Sequence, residues 1–211
     1  MKVSYDANAT CPEWEKFIDD TVAGKDLEEK QAMKDYLQMI AGMALSGYSE
    51  RRKTFHMYGP PGSGKSLFQN TLRDMFGDYA TTLSASALSQ PYFASNDAKH
   101  PEIAGLVGKR IAMASEMGSE CHWNDDLVKR LTGGDEMTAR RLYENPIRYR
   151  CKATIMSCGN GRPAHSTTSP EGLMSRLDVV PFPNAVPVER QDKELPAKLK
   201  AEFSGILNWA V

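Results

Sequence analysis

Gly59-Pro-Pro-Gly-Ser-Gly-Lys-Ser66 is the stretch on which the reading of this chain turns. It fits G-x-x-x-x-G-K-[ST], the phosphate-binding loop. Its flanks fit as well. Residues 54–58, Thr-Phe-His-Met-Tyr, form a β-prone run. Residues 67–76 place Leu67, Phe68, Thr71, Leu72, Met75 and Phe76 at helical spacing. Strand, glycine loop and helix are the setting in which successive backbone N–H groups wrap phosphates and a helix N-terminus adds partial positive charge. The candidate nucleotide contacts are Gly59, Pro60, Pro61, Gly62, Ser63, Gly64, Lys65, Ser66 and Leu67. Lys65 is expected to reach the β- and γ-phosphates of a nucleoside triphosphate, and the Ser66 hydroxyl to hold Mg²⁺.

A length of 211 residues suits one α/β domain with a modest helical extension. The net charge of −1 excludes a broadly basic nucleic-acid coat, so any contact with DNA must come from a few local residues. The four cysteines, Cys11, Cys121, Cys151 and Cys158, form no C-x-x-C pair, and Cys121-His122 lacks the second pair that a zinc site needs. Free thiols without a signal peptide point to a reducing, cytoplasmic location. No apolar run approaches the ~20 residues of a membrane span.

Residues 11–48 read as two amphipathic helices broken near 24–26. The first carries Trp14, Phe17, Ile18 and Val22 on one face; the second carries Met33, Tyr36, Leu37, Ile40, Met43 and Ala44 and ends at Gly47. Strands are expected at 54–58, 79–83, 109–115, 153–157 and 178–182, with helices at 67–76, 101–107 and 124–131 between them and 189–211 mostly helical. Residues 137–143 and 147–150 read as a hairpin around Glu144-Asn-Pro146. Apolar strands alternating with helices predict a mainly parallel five-stranded sheet. The expected division is a helical collar over 1–50, a core over 51–188 and a C-terminal helical segment over 189–211.

In parallel sheets, ligands sit at the carboxyl ends of strands. Glu116 falls at one such end, about fifty residues beyond Lys65, where a carboxylate orients water or supports Mg²⁺. Asn160 falls at another, where a polar side chain touches the γ-phosphate or the water. Arg176 precedes the last strand, as an arginine finger for a neighbouring subunit could.

Taken in order, these pieces resemble the superfamily 3 helicases, the AAA+ ATPases of small viruses, phages and plasmids. The resemblance is strongest to the helicase domains of satellite-phage and plasmid primase-helicases and of poxvirus primase-helicase. It is carried by Gly59–Ser66, Ser115-Glu116, Asn124-Asp-Asp-Leu-Val-Lys129-Arg-Leu-Thr-Gly-Gly-Asp135, Thr138-Ala-Arg140, Gly159-Asn160 and residues 172–182. It implies an AAA+-like P-loop NTPase with an N-terminal collar and an inserted β-hairpin, using ATP and Mg²⁺. It also implies a hexameric ring on single-stranded DNA, with a primase or polymerase module upstream in the full-length protein. Lys65, Glu116, Asn160 and Arg176 would be catalytic, with Ser66 and Glu116 on the metal. Lys129 and Arg140 belong to the family's block between Glu116 and Asn160, and the resemblance counts them among the DNA-binding residues. Arg141, Arg148 and Arg150 concentrate charge on the hairpin, which is expected to grip DNA phosphates. Ser115 stands where many members carry a second acid, which leaves Glu116 to act alone.

Two other functions compete. A loader or remodelling ATPase would move a protein rather than a strand, often through aromatic rather than basic loop residues. A small-molecule kinase would leave the block at 129–135, Asn160 and Arg176 without a role.

Overall fold

The computed structural model describes residues 1, 3–22, 24, 26–47, 52–89, 101–114, 117–118, 122–140, 143–162 and 171–211. The collar is α1 (Pro12–Thr21) and α2 (Leu27–Ser46). Pro12 opens α1 at a position where its missing N–H costs nothing. The N–H groups of Glu13 and Trp14 donate to the Glu202 carboxylate at 3.1 and 3.0 Å, so this helix is capped from the far end of the chain. Asp26 caps α2 by accepting from the Glu29 N–H at 2.9 Å, and Gly47 closes it at φ 63°.

The core begins with β1 (Thr54–Tyr58) and α3 (Lys65–Phe76), then β2 (Ala80–Leu83), the short α4 (Ala85–Leu88) and β3 (Ile111–Ala114). After them come α5 (Asp125–Gly133), a hairpin of β4 (Glu136–Ala139) and β5 (Ile147–Arg150), β6 (Thr154–Gly159), α6 (Glu171–Met174) and β7 (Leu177–Pro181). The chain closes with α7 (Leu195–Ala201) and α8 (Phe203–Ala210). The sheet order is β2-β3-β6-β1-β7, with every neighbouring pair parallel. The expected five-stranded α/β fold with collar and hairpin is borne out.

Strand residues alternate between two apolar layers, as the period of a pleated strand requires. Phe55, Met57, Ile111, Met113, Met156 and Val180 join the collar, α3 and α8 on one face. Ala112, Ala114, Ile155 and Leu177 join α5, α6 and the hairpin base on the other. Trp14 is the centre of the first layer: it stacks on Phe68 of α3 at 5.4 Å and meets Trp209 of α8 edge-on at 5.5 Å. Both ends of the chain therefore share a core with the helix that follows the glycine loop.

The hairpin departs from expectation. Among the described residues, pairing runs from Glu136↔Arg150 to Ala139↔Ile147, and Arg140 and residues 143–146 fall in the connection. Pro146 has no N–H to give a ladder, and the Arg140 Nε donates across the turn to the Glu144 carbonyl at 3.0 Å. The C-terminal segment is mostly helical: a turn at Val188–Arg190 precedes two consecutive helices, α7 and α8.

Candidate nucleotide site and hairpin

The glycine loop leaves the carboxyl end of β1 and enters α3 at Lys65. Gly62 and Gly64 take φ of 78° and 89°, a conformation that side-chain-bearing residues rarely hold. Packing adds a second demand. A Cβ on Gly64 would lie 2.9 Å from Phe17 of α1, so the collar touches the loop directly. From the other side, the Val186 N–H donates to the Gly62 carbonyl at 3.1 Å and the Phe182 N–H to the Tyr58 carbonyl at 2.8 Å.

A cavity of about 1080 Å³ opens over the loop. Pro61 through Leu67 form its floor, and Met117, Cys158, Gly159 and Asn160 one wall. The opposite walls are Phe17, Asp20 and Thr21 of α1, with Asn184, Arg190 and Gln191 from the segment after β7. Asn184 ties the two together: its Nδ2 donates to the carbonyls of Asp20 and Val22 at 3.1 and 3.0 Å. A nucleoside triphosphate with Mg²⁺ fits this donor set. The floor offers backbone N–H groups at a helix N-terminus, a lysine and a hydroxyl, and the walls offer one ring and several amides.

Lys65 is buried, and its Nζ donates to the carbonyls of Gly59 at 2.7 Å and Pro60 at 2.8 Å and to the Ser63 Oγ at 3.1 Å. All three ammonium protons are thereby engaged by the loop itself. Burial lowers the Lys65 pKa from the ordinary lysine value, with Cys158 opposing. Gly59 and Pro60 lie outside the cavity lining; their part is to hold the lysine. The Ser66 Oγ stands 4.0 Å from the Cys158 Sγ.

Asn160 follows β6 directly and lines the cavity. Glu116 lies outside the described residues, but the adjoining Met117 lines the cavity and donates its N–H to the Cys158 carbonyl at 3.0 Å. Beneath the Asn160 turn sits His56, a residue sequence reasoning passed over. Its Nε2 is 3.0 Å from the Gly161 carbonyl and its Nδ1 2.9 Å from the Ser157 Oγ. A carbonyl only accepts, so Nε2 carries the proton and Nδ1 accepts from the serine hydroxyl. Burial is the main cause holding the His56 pKa below 6.5, and the Lys65 charge adds to it; the bond to Gly161 works the other way.

Arg176 is not at this cavity. It precedes β7 at the amino end of the sheet, where its Nη1 donates to the Thr132 Oγ1 at 3.0 Å. Lys129 lies on α5 with its side chain against Gly172 of α6. On the hairpin, Met137, Ala139 and Tyr149 face the core, and the Tyr149 hydroxyl donates to the Ile103 carbonyl at 2.6 Å. Arg148 and Arg150 face outward and are exposed, as is Arg140 at the turn. Arg150 pairs across the ladder with Glu136, whereas Arg148 pairs with Thr138. Arg141 lies outside the described residues. Among the described residues, no cluster of metal-binding side chains occurs and no helix is long and apolar enough to cross a membrane. Cys11, Cys151 and Cys158 are buried free thiols.

A glycine loop between a central parallel strand and a buried helix, with an inserted hairpin and a helical collar, defines an AAA+-like P-loop NTPase fold. Residues 57–176 match DUF5906, described as a family of unknown function, and the chain belongs to that family. It is 27% identical over 158 residues to a helicase-named protein of Acanthamoeba polyphaga mimivirus, covering 75% of this chain and 16% of that protein. It is 26% identical over 134 residues to replication protein E1 of human papillomavirus 30, covering 63% of this chain and 19% of that protein. The chain thus spans less than a fifth of either relative. Among solved structures, the apo NrS-1 C-terminal region matches with a TM-score of 0.70 at 13% identity, over 99% of this chain and 47% of that one. The resemblance to superfamily 3 helicase domains is borne out by these relatives.

Proposed function

We propose that this chain is the ATP-driven motor domain of a viral, phage or plasmid replication helicase, working as a ring, with six copies expected, around single-stranded DNA. The observation that carries the reading is the separation of Arg176 from the loop of its own chain. The Thr54 N–H donates to the Arg176 carbonyl, and Gly59 lies five residue steps further along the chain at the other end of β1. At about 3.3 Å per residue, that is roughly 16 Å. An arginine so placed serves a triphosphate only across a subunit boundary. The kinship with helicase-named and replication proteins supports the same reading.

In this mechanism Lys65 leaves the carbonyls of Gly59 and Pro60 and turns to the β- and γ-phosphates. Ser66, with Glu116, would hold Mg²⁺, which supplies charge neutralisation at the phosphates. Asn160 places the attacking water or the γ-phosphate from the end of β6, with its turn held from below by His56. Arg176 of the adjoining copy meets the charge that develops on the transferred group. Arg148 and Arg140, with Arg141, bind the DNA backbone, and in the full-length protein a primase or polymerase module precedes this domain. ATP hydrolysis and particle mass, measured with and without single-stranded DNA and an ATP analogue, test the proposal. DNA-stimulated hydrolysis by a ring is expected; full hydrolysis by a monomer overturns it.

A further inference from the structure

The hairpin connection carries a residue that neither the nucleotide site nor the basic ladder uses. Tyr143 is 99% exposed, the most exposed aromatic side chain among the described residues. Its backbone is held at φ 64°, the left-handed region that bulky side chains avoid. The other tyrosine of the hairpin, Tyr149, is half-buried and anchored through its hydroxyl. Tyr143 therefore adds nothing to the core and sits where glycine or asparagine would be less strained. An outlier of this kind in an exposed hairpin connection points to a contact made outside the chain.

The surroundings say what kind of contact. The bond from Arg140 Nε to the Glu144 carbonyl clasps the turn and presents the ring on a braced tip. Glu144 is the single acid among the described residues of the connection. Arg140 lies at one side of the tip, and Arg148 lies one residue into the ladder on the other, facing Thr138 rather than an acid. An exposed ring flanked by cations is the combination that holds single-stranded nucleic acid: every base has a face to stack, and the cations follow the phosphates.

We propose that Tyr143 stacks on a base of the bound single strand while Arg148 takes an adjacent phosphate. This rests on the reading of the chain as a DNA-translocating motor and deepens it. Phosphate contacts alone would grip any polyanion; a ring on a base makes the grip depend on the presence of bases.

The test uses the full chain with a non-hydrolysable ATP analogue and two labelled strands of equal length, one oligothymidylate and one abasic. The wild type is expected to bind oligothymidylate more tightly. Tyr143→Ala and Tyr143→Gly should lose about tenfold on oligothymidylate and almost nothing on the abasic strand. Tyr143→Trp should keep wild-type affinity. The dependence on salt should be unchanged in all three, because no phosphate contact is removed. The thermal midpoint of Tyr143→Gly should equal or exceed that of the wild type, which separates lost contact from lost fold. Equal losses on the two strands, or none on oligothymidylate, overturn the stacking assignment alone. Hydrolysis stimulated through Tyr143 by an unfolded polypeptide and not by DNA also overturns it. A wild type that binds neither strand overturns the motor reading and the stacking contact with it.

Discussion

The Thr54 N–H donates to the Arg176 carbonyl at 2.7 Å, so Arg176 lies at the opposite end of the sheet from the loop that follows Tyr58. Arg176→Ala should accordingly leave ATP affinity near wild type and reduce hydrolysis roughly a thousandfold or more. Mixing Arg176→Ala with Glu116→Gln subunits should restore part of the activity, since one intact loop then meets one intact arginine. Steady-state hydrolysis of the mixture, in a preparation shown to assemble, is the measurement. No recovery there would remove the trans assignment.

Lys65 spends its three protons on Gly59, Pro60 and Ser63, all within its own loop. Lys65→Ala should fold, because the loop is also held by Phe182 and Val186. It should lower turnover by at least about a hundredfold through loss of charge at the phosphates. Hydrolysis and nucleotide titration on one preparation check this, and near-normal turnover would contradict the site.

Register separates the two hairpin arginines. Arg148→Gln should reduce the salt dependence of single-strand binding by about 0.7 in the log–log slope, the value for one phosphate. Arg150→Gln should change it less, because Arg150 stands opposite Glu136. Fluorescence titrations across a range of salt concentrations read both. Equal slopes for the two variants would mean that register does not govern the contact.

His56 gives the fold a dependence on pH. Burial first, then the Lys65 charge, holds its folded pKa below the unfolded value of 6.5. The unfolded chain therefore takes up the proton first. The contribution of His56 is fully present above pH 6.5 and is lost as pH falls toward the lower folded value. Urea midpoints measured from pH 8 to pH 5 should fall in that window. His56→Gln, which offers an amide toward Gly161 but no titrating group, should flatten the curve. An identical curve in the variant would assign the loss to other groups.

Much of the fold was legible because its causes are local. Glycines at 59, 62 and 64 ahead of Lys65-Ser66 demand a loop, and the apolar spacing from Leu67 to Phe76 demands a helix. The apolar runs at β1, β3 and β6 have the pattern of strands buried on both faces, as in a parallel sheet covered by helices. The hairpin was legible in kind but not in extent, because a side chain four residues away, Arg140 on Glu144, clasps the turn.

Sequence by itself thus determined the class of fold and the strand that bears the loop, and it nominated Lys65, Ser66, Asn160 and Arg176 as candidates. Only tertiary structure decided what surrounds them. Phe17 and Asn184 stand 167 positions apart in the chain, yet both line the cavity, because α1 is anchored to α3 and α8 through Trp14. His56 looks like one more strand residue until pairing with β6 sets it beside Ser157 and under Gly161. Arg176 becomes unavailable to its own loop only when β7 runs parallel to β1. Local propensity depends on neighbours in sequence, whereas distance and direction across a sheet depend on which strands pair. No single segment carries that information.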